Sequence, residues 1–170
     1  ALARTPGVTK VVGVDLLEPM VTRARRKVAK ARGVAPTSFL VGDALSLPFD
    51  DGTFACVTSA FSLRNMPNLE ESLVEMLRVV RPGGRLLSLE TMPGQKGVLK
   101  PLVRFHFRRV VPILGAILAA DKAAYTYLPR SVDEFLSPDE LSELLGDLGL
   151  GEVGHRPMAQ GSVHLHWGTK

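Results

Sequence analysis

Asp15 and Asp43 each follow a short β-rich apolar run, about one β-α-β unit apart in the chain. In open parallel sheets, ligands bind beyond the carboxyl ends of the strands. A carboxylate at the first position can accept both hydroxyl hydrogens of a ribose. A carboxylate in the second, a Gly42-Asp43-Ala44 turn, can accept from an adenine amino group, and Ala44 offers its backbone N–H to the same base. A single strand-terminal aspartate is as often a helix cap. The ordered pair points to an adenosine-containing cofactor.

The elements that must hold these residues follow from hydrophobic patterning. Residues 10–16 (KVVGVDL) read as a buried parallel strand. A helix follows, with Pro19 in its first turn, Glu18 at its positive end and Gly33 as its stop. Met20, Val21, Ala24, Val28 and Ala31 form its apolar face. Arg23, Arg25, Arg26, Lys27 and Lys30 form a solvated one. Residues 37–41 make a second strand and 54–61 a third. Asn68 caps a helix whose buried stripe is Leu69, Leu73, Met76, Leu77 and Val80. Arg81-Pro82-Gly83-Gly84 is expected to stop that helix and turn the chain into a strand at 85–90. Ser137-Pro138-Asp139-Glu140 is a capping box opening a helix with Leu141, Leu144, Leu145 and Leu148 inside. Residues 153–159 and 162–167 read as a hairpin around Gln160-Gly161. Strands alternating with helices predict a doubly wound α/β sheet ending in an antiparallel hairpin.

Composition sets the outer bounds. The 170 residues carry a formal charge of +4, with 45% hydrophobic and 22% charged side chains. That is enough chain for one domain with a core, and 1–170 reads as a single domain. The charge is too small and too scattered to imply nucleic acid. The one cysteine, Cys56, excludes an internal disulfide and is expected to be a buried, inert thiol. His164 and His166 alternate on one strand face; they read as partly buried strand histidines in preference to a metal pair. No metal is expected. His106 and His155 could serve as bases, though nothing in their spacing selects them.

Several segments together carry a family resemblance. They are Asp15, GDA at 42–44, LPF at 47–49, FSLRN at 61–65, RVVRPGGRLLSLE at 78–90, YTYLPRS at 125–131 and the closing GSVHLHWGTK. The chain resembles the ubiquinone/menaquinone biosynthesis C-methyltransferases from about residue 11 to its end. The proline-glycine-glycine turn is common to many methyltransferases, whereas the Leu63-Arg64-Asn65 and tyrosine segments are more specific. The resemblance implies a class I methyltransferase fold, Rossmann-like, with S-adenosylmethionine as cofactor. It also implies C-methylation of a polyprenylated quinol precursor, such as demethylmenaquinol. Naphthoquinol and benzoquinol acceptors, tail length and oligomeric state stay open.

By the same resemblance, Leu16 joins Asp15, Asp43 and Ala44 in the cofactor set. Ala60 does too, through its backbone, because many family members carry serine there. Arg64 and Asn65 fall on the substrate side. Arginine stays protonated and is a poor base, so Arg64 is cast as a cation that stabilises a phenolate or orients a water; the alternative is that it pairs with an acid and anchors its loop. Asn65 would hydrogen-bond a ring oxygen, and Tyr125 and Tyr127 would shape the quinol pocket. The family's first strand and glycine-rich loop would precede Ala1, so the reading expects that the sequence is missing its amino-terminal part.

Residues 92–136 read as a substrate- and membrane-facing insertion. Lys100, Arg104 and Arg108 are four apart, and Leu102, Val103, Phe107, Val110, Val111 and Leu114 can line another side of the same helix. Residues 96–114 are therefore expected either to dock on a membrane surface or to form a lid, and one helix can do both. Localisation is expected to be cytoplasmic, at the inner face of the membrane. Three alternatives compete: a methyltransferase for another small molecule, a nicotinamide-dependent oxidoreductase, for which Asp15 also fits, and an inactive binding module.

Overall fold

The computed structural model describes residues 2–92, 131–132 and 134–170. Tyr125, Tyr127, His106 and segment 96–114 lie outside the described residues. Six strands and three α-helices are described: β1 Val11–Asp15, α1 Glu18–Ala29, β2 Thr37–Val41, β3 Phe54–Ala60, α2 Leu69–Val79, β4 Val80–Thr91, α3 Pro138–Asp147, β5 Gly151–Met158 and β6 Val163–Thr169.

Two hydrogen-bonded units result. β1 and β2 pair in parallel, Val11 beside Thr37 through Asp15 beside Val41. β3, β4, β6 and β5 form a mixed sheet in that order. β3 and β4 are parallel, and β6 lies antiparallel between β4 and β5. The hairpin expected at the end of the chain is thus present. The continuous parallel sheet is realised as a parallel pair plus a mixed sheet. Segment 42–53 ties them together. Ala44 and Leu47 pack on the main core, Leu47 donates its N–H to Glu75 at 2.6 Å, and Arg78 reaches the Leu47 carbonyl at 3.1 Å and Asp51 at 2.6 Å.

α2 forms where the sequence places it. The Asn68 side chain accepts the Glu71 N–H at 3.2 Å, satisfying one free donor of the first turn. Leu73, Met76, Leu77 and Leu86 join Leu141 and Leu145 of α3 in one buried cluster. Full burial of each such side chain contributes roughly 1.5–3 kcal/mol. At α3 the capping box is complete: Glu140 N–H donates to the Ser137 hydroxyl, and Ser137 N–H to the Glu140 carboxylate.

Three expectations change. Arg81 to Gly84 do not separate α2 from a strand; they lie within β4 as a bulge, since the register jumps from Phe54 beside Val80 to Cys56 beside Arg85. A Cβ on Gly84 would sit 2.9 Å from the Ala55 carbonyl, so this close crossing of two backbones needs glycine. α1 ends at Ala29, before Gly33, and its apolar face is narrower than the periodicity suggests: Val21 is buried, while Met20 is 49% exposed. Arg25 stays on the solvated face, its side chain 53% exposed, and from there donates to the Phe39 carbonyl at 2.8 Å, clamping α1 to β2. Cys56 is exposed. It pairs with Arg85, one position out of step with the buried Leu86, so its side chain leaves the core face. Partial desolvation, offset in part by Arg85, still pushes the thiol pKa up.

Candidate functional site

The two aspartates meet at one rim. Asp15 ends β1 beside Val41, and the Gly42 N–H donates to the Asp15 carbonyl at 3.1 Å, so the turn that carries Asp43 is stitched to the end of β1. Each carboxylate spends one oxygen on its own loop. Asp15 Oδ1 accepts the Leu17 N–H at 2.9 Å, and Asp43 Oδ1 accepts the Leu45 N–H at 2.9 Å. No further bond ties either carboxylate among the described residues. The second oxygens can therefore take donors from outside the chain. Leu16, 65% exposed, adds an apolar surface between them and α1. This acceptor set fits an adenosine: Asp15 can take hydroxyl hydrogens, Asp43 an exocyclic amine, and Leu16 offers apolar area for the base.

β3 supplies the next rim position. Ala60 closes the strand, and Phe61 takes a left-handed φ of 58° while donating its N–H to Leu89 O at 2.8 Å. A left-handed aromatic residue is strained, and such strain gathers at functional sites. The chain then enters a tight turn, Leu63–Asn65. The exposed Asn65 donates to the Phe61 carbonyl at 3.3 Å. Arg64 turns inward, its side chain only 9% exposed, and its Nη1 donates to Glu90 Oε2 at 2.8 Å. The guanidinium carbon lies 5.9 Å from the Phe61 ring centroid.

Glu90 is the residue the sequence reading missed. It is 0% exposed, and its other oxygen accepts the Leu63 N–H at 2.8 Å. Burial pushes its carboxyl pKa up, while Leu63 and Arg64 pull it back part of the way. The signal that could have found it is the pairing of β3 with β4, which sets Ala60 beside Leu89 and so brings position 90 against the turn. Arg64 accordingly has the acid that its loop-anchoring alternative requires. Its Nε stays buried with no hydrogen-bond partner among the described residues.

A second polar group sits further along the same sheet face. The His155, His164 and His166 rings lie within 5.2–6.3 Å of one another. His166 Nε2 donates to the Pro138 carbonyl at 3.0 Å, and His155 Nδ1 meets the Ser142 hydroxyl at 3.1 Å. Burial lowers the pKa of His164 and takes that of His166 down to about 4. Among the described residues, no group of three histidine, cysteine or acidic side chains is arranged to hold a metal ion. No described helix is long and apolar enough to cross a membrane.

Comparison with solved structures supports the fold. A chain from the complex between the Haloferax volcanii Trm112 methyltransferase activator and a putative methyltransferase matches 97% of this chain and 74% of its own, with TM-score 0.68 at 20% identity. A SAM-dependent methyltransferase from Aquifex aeolicus matches 94% of this chain and 68% of its own, with TM-score 0.63 at 20% identity. The architecture is the Rossmann-like one of class I methyltransferases. Among curated relatives, a demethylmenaquinone methyltransferase of Thermus thermophilus is 42% identical over 98% of this chain and 74% of its own length. A ubiquinone/menaquinone biosynthesis C-methyltransferase, UbiE, of Desulfotalea psychrophila is 38% identical over 95% of this chain and 64% of its own. The chain thus spans about two thirds to three quarters of the length of these relatives. The profile of the ubiE/COQ5 methyltransferase family matches residues 2–170, and the chain belongs to that family.

Proposed function

We propose that this chain acts as an S-adenosylmethionine-dependent C-methyltransferase on a polyprenylated quinol precursor, demethylmenaquinol or a close analogue. The observation that carries the reading is the stitched rim, where Asp15 and Asp43 each keep one carboxylate oxygen for an outside donor. When bound, S-adenosylmethionine supplies an electrophilic methyl group. Asp15 holds the ribose hydroxyls, Asp43 and the Ala44 N–H hold the adenine edge, and Leu16 and Ala60 line the nucleoside.

On the substrate side, the hydroxyl next to the reacting ring carbon gives its proton to solvent water, which makes that carbon a strong nucleophile; once methylated, the carbon sheds its own hydrogen as a proton to water and the hydroxyl is reprotonated. The Arg64 guanidinium, always charged, stabilises the resulting phenolate oxygen. Asn65 hydrogen-bonds a ring oxygen and fixes the angle of the ring. Placement of this kind is worth orders of magnitude in rate. Tyr125 and Tyr127 shape the ring pocket, and the basic, apolar segment 96–114 docks at a membrane where a polyprenyl tail resides.

The test is methyl transfer from labelled S-adenosylmethionine to a short-tailed demethylmenaquinol by the full-length protein. Label appearing on the ring supports the reading. Tight S-adenosylhomocysteine binding without transfer to any demethylated quinol would overturn the substrate assignment and leave the cofactor.

A further inference from the structure

The Arg64–Glu90 pair is a poor device for stability. Burying two charges together often stabilises no more than apolar side chains of the same volume would. The position is not short of apolar support either, since Leu63, Leu86 and Met92 are all buried around it. What the pair does achieve is placement. One carboxylate holds both the backbone N–H of Leu63 and the guanidinium of Arg64, each at 2.8 Å. It does so from β4, the central strand on which β3 and β6 both pair. The turn it holds begins at a left-handed Phe61 and would not keep that geometry unaided. The guanidinium is gripped through Nη1 alone, and its buried Nε has no partner among the described residues. An enclosed N–H donor without an acceptor is unfavourable unless something else completes it.

We propose that Glu90 is a positioning residue for the methyl transfer. Its carboxylate fixes the Leu63 backbone and the Arg64 guanidinium so that the Arg64 charge keeps one place and orientation toward the phenolate oxygen of the quinol. This rests on the reading of Arg64 given above. Glu90 itself touches no substrate; it acts through Arg64.

The experiment compares Glu90→Gln, Glu90→Asp and Arg64→Ala in the full-length protein, with short-tailed demethylmenaquinol as acceptor. Glu90→Gln keeps the shape and an oxygen for Leu63 but removes the charge that orders the guanidinium. Glu90→Asp keeps the charge and withdraws it by one methylene, which guards against a glutamine variant that fails to fold. In both, kcat is expected to fall roughly tenfold to a hundredfold, with S-adenosylhomocysteine affinity within about twofold of the parent. The Nε–H resonance of Arg64, followed by 15N NMR, should move on adding quinol to the parent and broaden or stay fixed in the variants. A purely structural role would lower melting temperature and cofactor affinity together and leave the kcat of the folded fraction intact; that pattern overturns the proposal. So does parental kcat in Glu90→Asp or Glu90→Gln while Arg64→Ala is inactive. An active Arg64→Ala protein sinks the reading of Arg64 instead, and the role of Glu90 with it.

Discussion

The Asp15 carbonyl accepts the Gly42 N–H at 3.1 Å, so the strand end that carries one aspartate and the turn that carries the other are fixed to each other by the main chain. Their separation is a property of the β1–β2 pair, set by the register of Asp15 beside Val41. Side-chain substitution at either aspartate should therefore leave the rim intact and change only what it can bind.

Asp15→Ala is expected to weaken S-adenosylhomocysteine binding at least tenfold, about 1.4 kcal/mol, as measured by titration calorimetry. Asp15→Asn keeps an oxygen for the Leu17 N–H. It should lose nearly as much affinity, because the amide still lacks the charge that favours two hydroxyl donors. Near-parental affinity in both variants would place the ribose elsewhere.

The histidine group should make stability pH-dependent. His166 is neutral in the fold, with its pKa lowered to about 4 by burial. The unfolded chain, titrating near the ordinary value of about 6.5, binds more protons between those limits. This contribution is therefore full above pH 6.5 and is lost as pH falls toward 4, amounting to on the order of 3 kcal/mol. Urea midpoints recorded between pH 7 and pH 4 should decline, and His166→Asn should flatten the decline. His164, shifted in the same direction, should leave a residual slope.

Lys170 reaches back to the end of α2, donating to the carbonyls of Leu77 at 2.7 Å and Val80 at 2.8 Å. The Leu77 carbonyl also accepts the N–H of the cap residue Val80, and a cation there meets the negative end of the helix. Lys170→Ala should lower stability by ~1 kcal/mol, about 3 °C in Tm. Cofactor affinity should not change, since Asp15 and Asp43 lie on the other hydrogen-bonded unit. A calorimetric scan with and without S-adenosylhomocysteine separates the two effects.

Local chemistry was the most readable part of the sequence. The Ser137–Glu140 box and the Asn68 cap are written in residues three apart, and both form as read. The strand-end aspartates were legible because a strand boundary fixes where its last side chain sits. Relations across the sheet were harder. Glu90 looks like any acid closing a strand until β3 and β4 are placed in register beside the Leu63 turn. Cys56 was misread because an apolar run does not tell which of its alternate residues faces the core. α2 stops just before Arg81 as read, but the Arg81–Gly84 segment belongs to β4, which no local signal distinguishes from a separate turn. Tyr125, Tyr127 and the basic segment 96–114 fall outside the described residues.

Among residues 2–62, Val21 alone is fully buried, whereas α2, β4 and α3 share a continuous apolar cluster. Among the described residues, the part that bears both rim aspartates is thus the one with the fewest buried side chains. Occupancy of the rim should act as its missing ballast: at a hundredfold excess over Kd, a ligand adds about 2.7 kcal/mol to whatever it holds closed. Amide protons of β1 and β2 should exchange well ahead of those in β4 and β6, and S-adenosylhomocysteine should slow the first pair selectively. Recognition of the nucleoside and consolidation of the lobe that recognises it would then be one event.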